Sequence, residues 1–124
     1  MPYSYDDQNI FAKILRGEIP NNTVIETDHT LAFADIHPQA PTHVLVIPKG
    51  AYVTYEHFAA EASDAEILDF TRTVAKICAG AGITQDNGAR YISNAGPHGV
   101  QEVPHFHLHI LAGRTMGRMV APEA

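Results

Sequence analysis

Three histidines alternate through Pro104-His105-Phe106-His107-Leu108-His109-Ile110-Leu111. Along a β-strand successive side chains point to opposite faces, so this pattern predicts His105, His107 and His109 on one face and Phe106, Leu108 and Ile110 on the other. The apolar set marks the buried face. Three imidazoles then line one polar surface, where three can act on one small substrate. A neutral imidazole is a competent nucleophile near pH 7 and accepts a phosphoryl or nucleotidyl group. Flanking imidazoles hold phosphate oxygens and protonate a leaving group. The adjoining loop, Asn94-Ala95-Gly96-Pro97-His98-Gly99, adds backbone amides to that set of donors.

Two other readings of the histidines stand beside this one. The first is a polar row facing solvent, but Lys, Thr or Glu would serve there, and three successive choices of His weigh against it. The second is a zinc site. Alternate residues of a strand lie about 6.6 Å apart, which puts the Cα atoms of His105 and His109 about 13 Å apart. A zinc ion holds its nitrogen ligands at about 2.1 Å, so the three cannot easily share one ion. Two of them with His43 could. No acidic residue or cysteine is obviously placed as a further ligand, and no metal ligand is assigned.

The elements that position these residues follow from periodicity and punctuation. Ile10, Phe11, Ile14 and Leu15 form one apolar face of a helix over about Gln8 to Arg16, with Asp6 or Asp7 as its cap and Gly17 as its stop. Thr23 to Glu26 and Thr30 to Asp35 read as short strands. Thr42 to Pro48 is apolar on both faces, as a covered central strand is. Ser63-Asp64-Ala65-Glu66 is a capping box, with Ser63 as N-cap and Glu66 at N3, and it opens the long helix that Gly80 and Gly82 end. Arg90 to Asn94 and His105 to Ala112 complete five strands. Two runs of strands separated by one long helix predict an α+β fold with a five-stranded antiparallel sheet and one or two short helices besides the long one. His29, His37, His57 and His98 read as surface or loop residues, and Cys78 as helix core.

Composition bounds the function. The chain has 124 residues, one cysteine, 8 histidines and a net charge of −6. One domain over residues 1–124 is expected, with no disulfide framework. An acidic balance disfavours nucleic acid as a partner and a basic membrane-surface segment alike. The longest apolar run, Val44-Leu45-Val46-Ile47, is far too short to span a bilayer. The first residues lack a cationic stretch followed by an apolar one, so a cytoplasmic protein is expected.

The sequence as a whole resembles the histidine-triad (HIT) family and, within it, the Hint-like branch of purine nucleoside phosphoramidases. His105 to Leu111 fits the pattern of three alternate histidines followed by two apolar residues. Ile10 to Pro20 is similar to the opening helix of that branch. Leu31 to Ile36 and Pro38 to Lys49 resemble its next two strands. Asn94, Gly96, Gln101 and Val103 match the loop before the triad, and Gly113-Arg114 the residues after it. The likeness runs from Asn9 to about Gly117.

The resemblance implies a HIT-like fold, a homodimer, and hydrolysis of purine nucleoside phosphoramidates such as adenylate joined through nitrogen to an amine. It needs no cofactor. It implies that His107 attacks the α-phosphorus to form a nucleotidyl-histidine, which water cleaves. His109 is then a phosphate-binding histidine near the leaving group, and His105 supplies a backbone carbonyl that orients the ring of His107. His43 is a supporting histidine on the adjacent strand. Asn94 and Gln101 match substrate-contacting positions of the loop. Asp35 matches the carboxylate that accepts both ribose hydroxyls; from the residues alone, capping the following turn is an equal reading. Ile10, Phe11, Ile14, Phe33 and Ile36 match the apolar pocket around the base. Glu102 departs from the pattern, standing where some relatives have a phosphate-contacting serine; a carboxylate there opposes an anionic phosphate unless it turns away. Pro97 and Val100 also depart from a loop that is often richer in glycine. The segment from Met116 to Ala124 lacks the tryptophan-bearing ending of some relatives. Two alternatives remain at this point: a nucleotide-binding regulatory protein with little turnover, and a dinucleoside polyphosphate hydrolase.

Overall fold

The computed structural model describes residues 3–123; residues 1, 2 and 124 of the expected 1–124 domain lie outside the described residues. Five strands form one antiparallel sheet: β1 (Thr23–Glu26), β2 (Thr30–Ala34), β3 (Thr42–Pro48), β4 (Ala89–Ile92) and β5 (Leu108–Ala112), in the order β1-β2-β3-β5-β4. The α+β architecture read from the sequence is therefore present, and β3, apolar on both faces, is the central strand. Three helices flank the sheet: α1 (Ile10–Leu15), α2 (Tyr55–Glu61) and α3 (Asp64–Gly80). None is long and apolar enough to cross a membrane.

Alternation along β3 sends its residues into two cores. Val44 and Val46 pack with Phe58, Phe70, Ile77, Phe106 and Ile110 under α2 and α3. Leu45 and Ile47 pack with Leu31, Phe33, Phe11 and Ile14 under α1. The capping box of α3 forms as the spacing requires, Ser63 Oγ accepting from the Glu66 amide and the Glu66 carboxylate accepting from the Ser63 amide.

Three local expectations are corrected. Asn9, not Asp6 or Asp7, caps α1, its Oδ1 accepting from the amides of Phe11 and Ala12 at 3.0 Å each. Asp6 instead holds the turn before it, where its Oδ1 accepts from the Gln8 amide. Gly17 does stop α1, at a φ of 81° that other residues adopt at a cost. The second correction concerns His57, expected at the surface but buried within α2. Its Nδ1 accepts from the Val53 amide at 2.9 Å, and its ring stacks on Tyr3 with centroids 4.0 Å apart. Flanked by Pro, Gly and Tyr, the seven-residue α2 carries too little periodicity to be located from sequence.

The third correction bears on the site. Strand β5 begins at Leu108 rather than His105. Before it, the chain leaves the ladder: the Phe106 amide donates to Tyr52 O at 2.7 Å and His107 Nδ1 donates to the carbonyl of His105 at 2.8 Å. The three histidines therefore do not form one row on a regular strand. His105 turns into the interior and is fully buried, while His109 keeps strand geometry opposite Leu45.

Candidate active site

Helix α1 spans six residues and covers only part of its face of the sheet. The uncovered part is a pocket of about 390 Å³. Phe11, Ile14, Phe33 and Leu45 form its apolar floor, with Ile10 and Ile36 toward its mouth. Ile36 is 73% exposed, and Val100 across the opening is 71% exposed. Asp35, Asn94, Glu102, His107 and His109 supply its polar wall. The structure thus brings together Ile10, Phe11, Ile14, Phe33, Asp35, Ile36, Asn94, His107 and His109 from the residues singled out in the sequence. Glu102 lies at the pocket, where its charge opposes the lowering of the His107 pKa.

Three singled-out residues do not line it. His43 sits one layer behind, its side chain 1% exposed. His105 lies deeper, with Nε2 donating to Pro48 O at 2.8 Å. Gln101 is a brace within the loop: its Oε1 accepts from the Gly96 amide and its Nε2 donates to the carbonyls of Val53 and Val103. All of these bonds go to backbone, so Gln101 shapes the loop that carries Asn94 and Glu102 instead of reaching into the pocket.

Hydrogen bonding fixes which nitrogen of each ring carries its proton. A carbonyl only accepts, so His107 is protonated at Nδ1, facing His105 O, and keeps its lone pair on Nε2. The Gln39 amide donates to His43 Nδ1 at 3.1 Å, so His43 carries its proton on Nε2. That nitrogen lies 2.9 Å from His109 Nδ1 and donates to it. His109 is therefore protonated at Nε2. The two rings on the pocket wall, with centroids 5.0 Å apart, have opposite polarity: His107 offers a lone pair at Nε2 and His109 an N–H at Nε2.

Electrostatics keep these rings neutral. Burial lowers the pKa of His107, against smaller raising effects from the His105 carbonyl, Asp35 and Glu102. His109 is lowered to about 4, first by burial and then by His107 and His43. His105 is lowered to about 4, again by burial first. His43 is lowered by burial, against the pull of Asp35. A nucleophile with a depressed pKa stays unprotonated at neutral pH.

The structure shows Asp35 in one of the two roles that the sequence left open, the cap of the following turn. Its Oδ1 accepts from the His37 amide at 2.8 Å and so caps the turn. Its Oδ2 lies 3.4 Å from His43 Nε2, and the carboxylate remains on the pocket wall with free acceptor capacity. Ligand atoms of Asp35, His43 and His109 all lie within 4.8 Å of one another, so the cluster has the compactness a metal ion needs. Its polarity is opposed to one. To ligate through Nε2, His43 must move its proton to Nδ1, which then meets the Gln39 amide head-on.

Sequence reasoning missed two supports. Ser93 Oγ donates to His107 O at 2.9 Å and anchors the backbone of that residue. The Gln39 amide sets the tautomer of His43 and, through it, of His109. The first is a common residue beside a strand, and the second is a main-chain group, so neither leaves a signal in residue type.

Comparison with known proteins places the chain in a family. Residues 16–116 match the HIT domain. The Escherichia coli (strain K12) protein named purine nucleoside phosphoramidase is 44% identical over 115 residues, covering 93% of this chain and 95% of its own. A Zea mays protein named 14 kDa zinc-binding protein is 45% identical, covering 90% and 86%. The crystal structure of a HIT family hydrolase from Legionella pneumophila Philadelphia 1 superposes with a TM-score of 0.77 at 42% identity, covering 86% and 94%. With the match spanning all five strands of the sheet, α2, α3 and the histidine segment, this chain belongs to the HIT domain family.

Proposed function

We propose that the protein hydrolyses purine nucleoside phosphoramidates, cleaving the phosphorus–nitrogen bond at the α-phosphate by way of a nucleotidyl-histidine on His107. The observation that carries the reading is the opposite polarity of His107 and His109 on one pocket wall. Its support from relatives is the E. coli phosphoramidase at 44% identity.

The base occupies the apolar floor between Phe11, Ile14 and Phe33, and the ribose hydroxyls donate to Asp35. His107 Nε2 attacks phosphorus as the bond to the leaving nitrogen breaks, and the departing amine takes one proton from solvent. His109 and Asn94 donate to phosphoryl oxygens as charge gathers there. Water then attacks phosphorus, the bond to Nε2 breaks, and the nucleoside monophosphate leaves. The expected result is release of AMP from adenosine phosphoramidate by the wild type and its loss in His107→Ala. Equal release by both contradicts the reading. Tight AMP binding without release turns it into that of a nucleotide-binding protein, and faster cleavage of a dinucleoside polyphosphate moves it to the other hydrolase class.

A metal-bound form is a second reading, favoured by the compact Asp35, His43 and His109 cluster and by the name of the maize relative. The amide of Gln39 weighs against it. Elemental analysis of protein purified without added metal decides between them, stoichiometric zinc supporting the metal form. We further propose a homodimer formed through the edge strand β4, where Tyr91 is half exposed. Sedimentation at micromolar concentration is expected to show twice the chain mass, and a monomer alone would contradict this.

A further inference from the structure

His105 is the triad member that neither lines the pocket nor pairs in the sheet, yet its ring is held at both edges. Pro48 O only accepts, so Nε2 of His105 carries the ring proton and Nδ1 keeps a lone pair. The Tyr5 hydroxyl lies 2.6 Å from that lone pair and donates to it. Tyr5 comes from the opening segment, a hundred residues away in sequence and before the 16–116 stretch matched by the HIT domain. The rings of Tyr5 and Phe11 also meet His105 edge-on, with centroids 5.6 and 6.3 Å away. Side-chain placement at 105 passes directly to its backbone, and the carbonyl of that residue is the acceptor for His107 Nδ1.

That carbonyl matters because an imidazole free in water favours the tautomer protonated at Nε2, the nitrogen that must be bare for attack. Only a partner at Nδ1 reverses the preference. We propose that Tyr5 is a positioning residue: its hydroxyl fixes the ring of His105 and, through the carbonyl of His105, holds His107 in the tautomer that leaves Nε2 unprotonated. For its effect on turnover the inference rests on the function proposed above. Its effect on the tautomer does not.

The test is the long-range ¹H–¹⁵N spectrum of the histidine side chains in ligand-free, ¹⁵N-labelled protein at pH 7.5, for wild type, Tyr5→Phe and Tyr3→Phe. Tyr5→Phe keeps the aromatic ring and removes only the donor. In the wild type, His107 is expected as the Nδ1–H tautomer and His105 as Nε2–H. In Tyr5→Phe the His107 signals are expected to move toward a mixture of tautomers, with kcat on adenosine phosphoramidate down about tenfold and KM within about twofold. Tyr3→Phe, altered on the same segment but away from His105, is expected to match the wild type. A Tyr5→Phe protein whose His107 remains wholly Nδ1–H overturns the proposal, whatever its turnover. Absence of turnover in the wild type contradicts the proposed function alone, and the spectrum still decides the role of Tyr5.

If Tyr5→Phe does not fold, the same chain of bonds is tested from its other end. The side-chain amide of His105→Gln accepts from Tyr5 and donates to Pro48, and His105→Leu does neither. The Nδ1–H form of His107 is expected in the first and a mixture in the second; the same His107 spectrum in both overturns the proposal.

Discussion

The two faces of the sheet use the same strands for opposite ends. Under α3, Phe58, Phe70 and Phe106 meet with ring centroids 5.0 to 5.3 Å apart, and Val46 and Ile110 close the layer. Under α1, an apolar layer of Phe11, Ile14, Phe33 and Leu45 stops short and gives way to His43, His107 and His109. The helices differ as the faces do. Seventeen residues of α3 run about 26 Å, enough to cross the sheet, whereas six residues of α1 run about 9 Å. A short helix leaves part of one face open, and alternation along β3 and β5 decides which residues stand in the opening. Ile110 goes to the core and His109, its neighbour, to the pocket wall.

If the faces divide stability from chemistry, single substitutions separate the two. His107→Ala has the largest expected effect, a loss of at least about 10³-fold in turnover. Its melting temperature is expected to stay within a few degrees of the wild type. Phe70→Ala, on the other face, is expected to cost about 3–5 kcal/mol in urea unfolding while folded protein keeps its kcat. A large loss of turnover per folded molecule in Phe70→Ala, or a collapse of stability in His107→Ala, would break the comparison.

Acid affects both properties through the same buried rings. His105 and His109, each lowered to about 4, bind protons more readily in the unfolded chain, whose histidines titrate near 6.5. The unfolded state therefore gains stability as pH falls below about 6.5, and the folded state loses its margin progressively until about pH 4. For fully buried His105 this amounts to about 3 kcal/mol across that window. Unfolding free energies at pH 7, 5.5 and 4.5 check the direction, and His105→Gln is expected to flatten the slope. The proposed attack requires neutral His107, whose pKa is itself lowered, so the acid limb of turnover is expected below 6.5. A limb centred above 6.5 would contradict the assignment.

The smallest expected effect is at Asp35. Asp35→Asn keeps an oxygen for the His37 amide but weakens acceptance of two ribose hydroxyls, raising KM for a nucleoside phosphoramidate about tenfold with kcat little changed. A phosphoramidate without a ribose is expected not to distinguish the two proteins. If the Asp35→Asn protein loses stability and leaves KM untouched, the turn cap is the whole role of the residue.

What the sequence made legible was what repeats along the chain. Strands β1 and β3 lie where alternation and their bounding turns placed them, and α3 begins at the capping box of Ser63 and Glu66. The pocket residues from Ile10 to Ile36 were legible through family likeness, since Phe11 and Phe33 look like ordinary core by type. Hidden from view were interactions that depend on the chain leaving a regular element. Alternation predicted three histidines in a row, but the amide of Phe106 pairs with Tyr52 O, outside the sheet, and His105 turns inward. The polarity of His43 and His109 depends on the main-chain amide of Gln39, which no residue type announces. The hydroxyl of Tyr5 reaches His105 across a hundred residues, beyond any local pattern.

The central claim is that His107 Nε2 becomes bonded to phosphorus. Intact-protein mass spectrometry after mixing with adenosine phosphoramidate, quenched without acid because phosphorus–nitrogen bonds are acid-labile, reads this directly. Wild type is expected to gain one adenylyl group and His107→Ala none. An adduct of the same mass on both proteins, or on wild type at a peptide without His107, would contradict the account.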